Sequence, residues 1–162
     1  MNTAPPVLEK KGLNASHVRM LVYILLGVAV YMYFRSPHLQ TPHFRGSKVS
    51  SIDIVMRTRV LPPAEPKVLV QASITSAPDC ASLFRLLRSA GRQEDHKCDD
   101  VGSFTIRYAN GKTDALQFLP GHDPTGYEFR FGEKLYRLPR ERLYQVLRDA
   151  GVDTAKIPVS EH

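Results

Sequence analysis

The chain has 162 residues, 43% of them apolar, which is enough for one ordinary domain with an anchor or tail to spare. Its formal charge of +6 suggests nucleic acid, but the excess sits in residues 1–49, which carry six Lys and Arg against Glu9 alone. Residues 50–162 carry 16 Lys and Arg against 15 Asp and Glu, so the folded part lacks the surplus that phosphate neutralisation requires, and DNA or RNA is excluded as a partner.

Residues 1–17 are polar, contain Pro5-Pro6 and are expected to be a disordered tail. Fifteen residues without a charge follow, Met20–Phe34. With Val18 and Arg19 they make a helix of about 25 Å, the short end of what spans a bilayer. Ser16 is placed to cap its start, and Arg19 and Arg35 can extend their stems along it to carry their charges to the two interfaces. Tyr31, Tyr33 and Phe34 stand where an aromatic belt forms. The expectation is a transmembrane helix over 18–35 whose partner is the lipid bilayer, met through Met20 to Phe34. A cleaved signal peptide shares the basic flank and apolar stretch. Arg35-Ser36-Pro37-His38 is not an A-x-A-like site, which favours an uncleaved signal-anchor. A buried core helix would show a polar face, and four turns show none. Lys10, Lys11 and Arg19 on one flank balance Arg35, Arg45 and Lys48 on the other, so charge gives no direction. The short N-terminal tail favours a single-pass protein of the cell membrane with its C-terminal domain extracytoplasmic, in the periplasm.

Residues 36–49, with two prolines and no period, read as a juxtamembrane tether. A globular domain is expected over 50–151. It opens with Ile52, Ile54, Met56, Thr58 and Val60 alternating with Asp53, Val55, Arg57 and Arg59, a strand with one buried face. Val68–Ile74 is β-branched and reads as a second strand. Ser76 and Asp79 form a capping-box-like pair around Pro78, opening a helix with Leu83, Phe84, Leu86, Leu87 and Ala90 inward and Gly91 as its stop. Residues 92–101 read as a charged loop. Phe104, Ile106 and Tyr108 alternate up to Asn110-Gly111, a hairpin signal of the type in which both central residues have positive φ. Thr113–Leu119 returns. Tyr127–Phe131 and Lys134–Leu138 form a further hairpin about Gly132-Glu133. Pro139 opens a last helix with Leu143, Val146, Leu147 and Ala150 inward and Gly151 at its end, and residues 152–162 are left as a flexible tail. The fold class is therefore α+β: an antiparallel sheet of five to six strands with two amphipathic helices on one face.

Cys80 and Cys98 are the two cysteines, an isolated pair that an exported domain would close as a disulfide. The loop of 17 intervening residues would gain about 3 kcal/mol. A metal reading that adds His96 lacks C-x-x-C spacing and a fourth ligand, and no metal or cofactor is expected. His122-Asp123 in PGHDPTG reads as turn chemistry rather than a catalytic pair, and no nucleophile elbow or phosphate loop is present. Glu94, Asp95, Asp99 and Asp100 lack EF-hand spacing and read as a solvated loop. Arg85, Arg88 and Arg92 form a row on the first domain helix, and Arg137, Arg140 and Arg142 cluster near the last. Arginine is favoured at interfaces, so Arg85, Arg88, Arg92 and the loop residue His122 are the candidate partner-binding residues. The functional expectation is a membrane-anchored, non-enzymatic interaction module for a protein partner. The alternatives are a small envelope hydrolase using His122 or His96, and a lipid- or ligand-binding sheet face around Tyr108 or Tyr127.

Overall fold

The computed structural model describes residues 15–35, 41–59, 64–119 and 123–158. The predicted N-terminal tail up to residue 14, the start of the tether, His122 and the last four residues lie outside the described residues. The chain divides into two units, residues 1–36 and 37–162.

The first unit is one helix, α1 (Ala15–Arg35). Its 21 residues rise about 31 Å. Every described side chain from Ser16 to Tyr33 is exposed, including Leu21, Ile24, Leu25 and Met32 at more than half of their surface. The window Ser16–Tyr33 has mean hydropathy 1.4. By length and composition α1 can cross a membrane, and a signal sequence would pass the same test. Ser16 lies inside the helix rather than at its cap.

The second unit is an α+β domain on a seven-stranded antiparallel sheet: β1 (Val49–Arg57), β2 (Val68–Ile74), β3 (Gly91–Gln93), β4 (Gly102–Tyr108), β5 (Thr113–Leu119), β6 (Gly126–Phe131) and β7 (Lys134–Pro139). The strand order is β2-β1-β4-β5-β6-β7-β3. Two helices, α2 (Ala77–Arg88) and α3 (Arg140–Asp149), pack on each other and on β1, β6 and β7. Ile52, Ile54 and Met56 of β1 alternate inward toward them, as do Phe104 and Ile106 of β4, Leu116 and Phe118 of β5, and Tyr127 and Phe129 of β6. The period of two in each strand puts all of these on one face.

The expected five to six strands become seven because Gly91 does not stop α2. That helix closes at Ser89, and Gly91 instead starts β3, pairing with Arg137. Three residues, Gly-Arg-Gln, are too short to carry a period. The Asn110-Gly111 hairpin also differs from the two-residue form, since Gly111 alone has positive φ (78°). Gly111 N–H donates to Tyr108 O and Tyr108 N–H to Lys112 O, which is the three-residue loop that ends in a left-handed glycine.

Because β3 and β4 lie four positions apart in the sheet, residues 94–101 must cross it. They do so on the face away from the helices, where Arg130 Nη2 donates to Asp95 Oδ1 and His96 O, and His96 meets Glu128. Under this strap Leu119 and Leu135 are fully buried outside the main core, and Glu128 is 8% exposed. The predicted charged loop is thus a second covering layer over half of the sheet. On the same face Asp53 accepts from Ser73 Oγ and Arg107 Nε across β2, β1 and β4.

Both predicted boundaries of the domain move outward. Residues 41–48, assigned to the tether, lie against the helical side: Pro42 is buried, and the Phe44 ring lies 5.1 Å from Phe84 of α2 and 4.9 Å from Phe131 of β6. Residues 152–158, assigned to a flexible tail, bury Val152 and Ile157 around a 3-10 turn, Thr154–Lys156, and Tyr127 Oη donates to Pro158 O. The sequence hid both because each segment contributes one or two isolated apolar side chains rather than a stripe.

Candidate functional site

Arg85 and Arg88 are both exposed on α2 and line one groove of about 590 Å³. Its floor is Val49, Ala77, Ala81 and Phe84, and its far wall is Ser47 and Lys48 from the segment that enters β1. Small alanines at positions 77 and 81, one turn apart, leave the space; Arg85 and Arg88 follow on the same side of the helix. The Arg88 guanidinium lies 5.9 Å from the Phe84 ring centroid, which holds it over an aromatic face. Arg88 and Ser47 also border a second cavity of about 540 Å³ along residues 41–46 and Asn110. The first is mostly apolar and the second mostly polar, so together they make a trench with an apolar section and a cationic rim, a surface suited to a segment that offers apolar side chains and carboxylates.

The entering segment is fixed by an ionic latch. Arg45 N–H donates to Asp114 Oδ2 at 2.8 Å, Arg45 Nε approaches Asp114 Oδ1 at 3.2 Å, and Tyr108 Oη donates to Asp114 Oδ2 at 2.7 Å. Asp114 is 3% exposed, and burial, with the neighbouring carboxylate, pushes the Tyr108 phenol well above its ordinary range, so it stays a donor. Ala109 N–H to Lys48 O closes the segment onto the β4–β5 turn. Asp114 was missed, yet it is in register with buried Leu116 and Phe118; a carboxylate at an inward position of a strand is the signal that finds it.

The other described candidates are not brought to this groove. Arg92 is half-buried on β3 opposite Tyr136, so the expected helical row ends at Arg88. His122 is among the residues outside the description. The flanking Asp123 accepts from Arg137 Nη2 and from the amide and hydroxyl of Thr125, which hold its carboxyl at about 2. His96 sits 2.8 Å from Glu128 Oε2 in the strap. Tyr108 and Tyr127 are 3% and 0% exposed beneath the helices, so neither lines an open groove on the sheet, contrary to the ligand-binding expectation.

The predicted Cys80–Cys98 disulfide is absent: the two cysteines are not bonded to each other. Cys80 is buried under α2 with its Sγ donating to Ile74 O, whereas Cys98 lies in the strap beside Arg59, Lys97 and Arg130. The register puts Ile52 and Ile74 on the helical face and Arg130 on the other, so the sheet separates the two sulfurs. The pair therefore gives no argument for export. Burial raises both thiols above their ordinary values. In native protein a maleimide is expected to modify half-exposed Cys98 and spare Cys80, which reacts only after denaturation; peptide mapping of the adducts checks this. Among the described residues no group of three or more His, Cys, Asp or Glu is arranged to hold a metal ion.

No protein family matches the chain, and no curated protein or solved structure matches it.

Proposed function

We propose that the chain is a membrane-anchored, non-enzymatic interaction module. In this reading α1 spans the bilayer once, the domain stands on the extracytoplasmic side, and a protein partner docks along α2. The observation that carries it is the trench between α2 and residues 47–49, apolar along its floor and bordered by Arg85, Arg88 and Lys48. Such a surface favours a partner segment with aliphatic side chains flanked by Asp or Glu. The fully exposed apolar flank of α1 supports the anchor, since that much apolar surface has no stable place in water.

The test uses the full tagged chain extracted in detergent together with what it binds. Arg85→Ala with Arg88→Ala removes two exposed guanidiniums without touching the core. The double variant is expected to lose partner affinity about tenfold or more, equivalent to about 1.4 kcal/mol. Equal partner recovery with the double variant would overturn the assignment of the groove. An impermeant maleimide applied to intact cells is expected to reach Cys98. Labelling seen only after permeabilisation would put the domain on the inner side.

A further inference from the structure

We propose that the first turn of α3 is a binding site for an oxyanion, a carboxylate or phosphate group held by the Arg140 guanidinium and the Tyr144 hydroxyl. The site is independent of the α2 groove. Arg140 is 9% exposed, and its Nε and Nη2 are buried without any hydrogen-bond partner. Tyr144 Oη is buried and unpartnered in the same way. Buried polar groups in folded proteins are almost always satisfied, and a guanidinium cannot escape by losing its proton. Residues 140 and 144 are one turn apart, so their side chains share a face of α3. That face meets Tyr127: the guanidinium carbon is 6.0 Å from its ring centroid, and the Tyr144 ring is 6.3 Å away. The ring face offsets part of the charge but accepts none of the N–H groups.

The backbone agrees with the side chains. Pro139 stands at the N-cap and supplies no capping hydrogen bond, while Arg140 N–H donates to Thr125 O. The following amides of the first turn have no side-chain cap, and they form the positive end of the helix dipole. Arg140 and Arg142 both lie at this end against Glu141 alone, a net cationic placement adverse to the helix dipole. Of the neighbouring acids, Asp123 is engaged with Arg137 and Thr125 and Asp153 with Lys156 and Ala155 N–H, while Glu141 stands on the same first turn without bonding the Arg140 or Tyr144 donors. Burial raises the Tyr144 phenol, so it is a donor at neutral pH. Two forked N–H groups, a phenol and an uncapped helix start all donate, and an oxyanion is the complementary chemistry. All three donor atoms are inaccessible to solvent.

The experiment takes the full chain in detergent micelles and titrates inorganic phosphate and, separately, acetate against chloride at matched ionic strength. Thermal unfolding and the Arg140 Nε–H resonance are followed together. The expected result is a saturable rise in Tm with a shift of that resonance, the stronger probe identifying the ligand class. Arg140→Met is expected to bind about tenfold or more weakly, yet to melt in chloride at the same temperature or higher, because it fills the space without an unpaired charge. Arg140→Lys keeps the charge and loses the fork, so it too should bind more weakly, and it serves if the methionine variant does not fold. No saturable response to either probe, or an equal response in the Arg140 variants, would overturn the site.

Discussion

Phe118→Ala is expected to cost the domain about 3–5 kcal/mol, a fall of roughly 12–20 °C in Tm. Phe118 is fully buried at the centre of the sheet. Its ring stacks on Phe104 of β4 at 4.1 Å, and lies 5.6 Å from Phe129 and 5.8 Å from Tyr127 of β6. Phe129 in turn stacks on Tyr136 of β7 at 5.4 Å. The rings thus form a row across four adjacent strands beneath the helices. Alanine removes the middle of that row, and strands tied by hydrogen bonds cannot close over the gap. Two losses add: the transferred apolar area and the cavity left behind. Each lost ring pair contributes a further ~0.5–1.5 kcal/mol. Phe118→Leu keeps most of the volume and should cost about 1.5 kcal/mol or less. Urea titration of both variants separates a packing loss from general disruption. A Phe118→Ala variant within about 1 kcal/mol of the wild type would show that this row is not the organising core.

The strands and helices that were legible were those with enough residues to establish a period. β1 alternates over nine residues, and α2 places Leu83, Phe84, Leu86 and Leu87 on one stripe; both formed as their patterns require. Gly132, at φ 61°, turns the β6–β7 hairpin, and Gly151, at φ 79°, ends α3, each at a position where the sequence puts its only residue free of the Cβ penalty. What escaped was carried by single residues. β3 has three residues and no pattern. Phe44 and Pro42 anchor residues 41–48 from within a stretch otherwise typical of a linker. The disulfide expectation failed because sequence spacing says nothing of which face of a sheet a segment covers, and here Cys80 lies on α2 over one face while Cys98 lies in the strap over the other. For the groove, Arg85 and Arg88 were legible from helical spacing, but Arg92 was not separable from them until α2 was seen to end at Ser89. Arg140 and Asp114 were both detectable in principle. Each is a charged residue in phase with buried neighbours, Arg140 with Leu143 and Leu147, Asp114 with Leu116 and Phe118.

Asp114→Ala is expected to cost about 2–4 kcal/mol and to release residues 41–48 from the domain. The carboxylate is nearly inaccessible and receives Tyr108 Oη–H and Arg45 N–H, with Arg45 Nε beside it. Alanine leaves the phenol of a 3% exposed tyrosine without an acceptor, and that desolvation penalty is the larger part of the loss. Arg45, whose side chain is 71% exposed, recovers water instead, so its share is small. Tyr108→Phe combined with Asp114→Ala should therefore cost less than the two single changes summed, with a coupling of about 1–2 kcal/mol. Once freed, Arg45 and Lys48 become trypsin sites, and amides 43–48 exchange faster; limited proteolysis and hydrogen exchange read these directly. Phe44, through its contacts with Phe84 and Phe131, buried Pro42 and the Ala109 N–H to Lys48 O bond then hold the segment. The same release withdraws Ser47 and Lys48 from the wall of the α2 groove, so partner affinity should fall although neither Arg85 nor Arg88 has changed. Unchanged cleavage at Arg45, together with a stability loss below about 1 kcal/mol, would refute the latch. A stability loss with intact partner affinity would separate the latch from the groove.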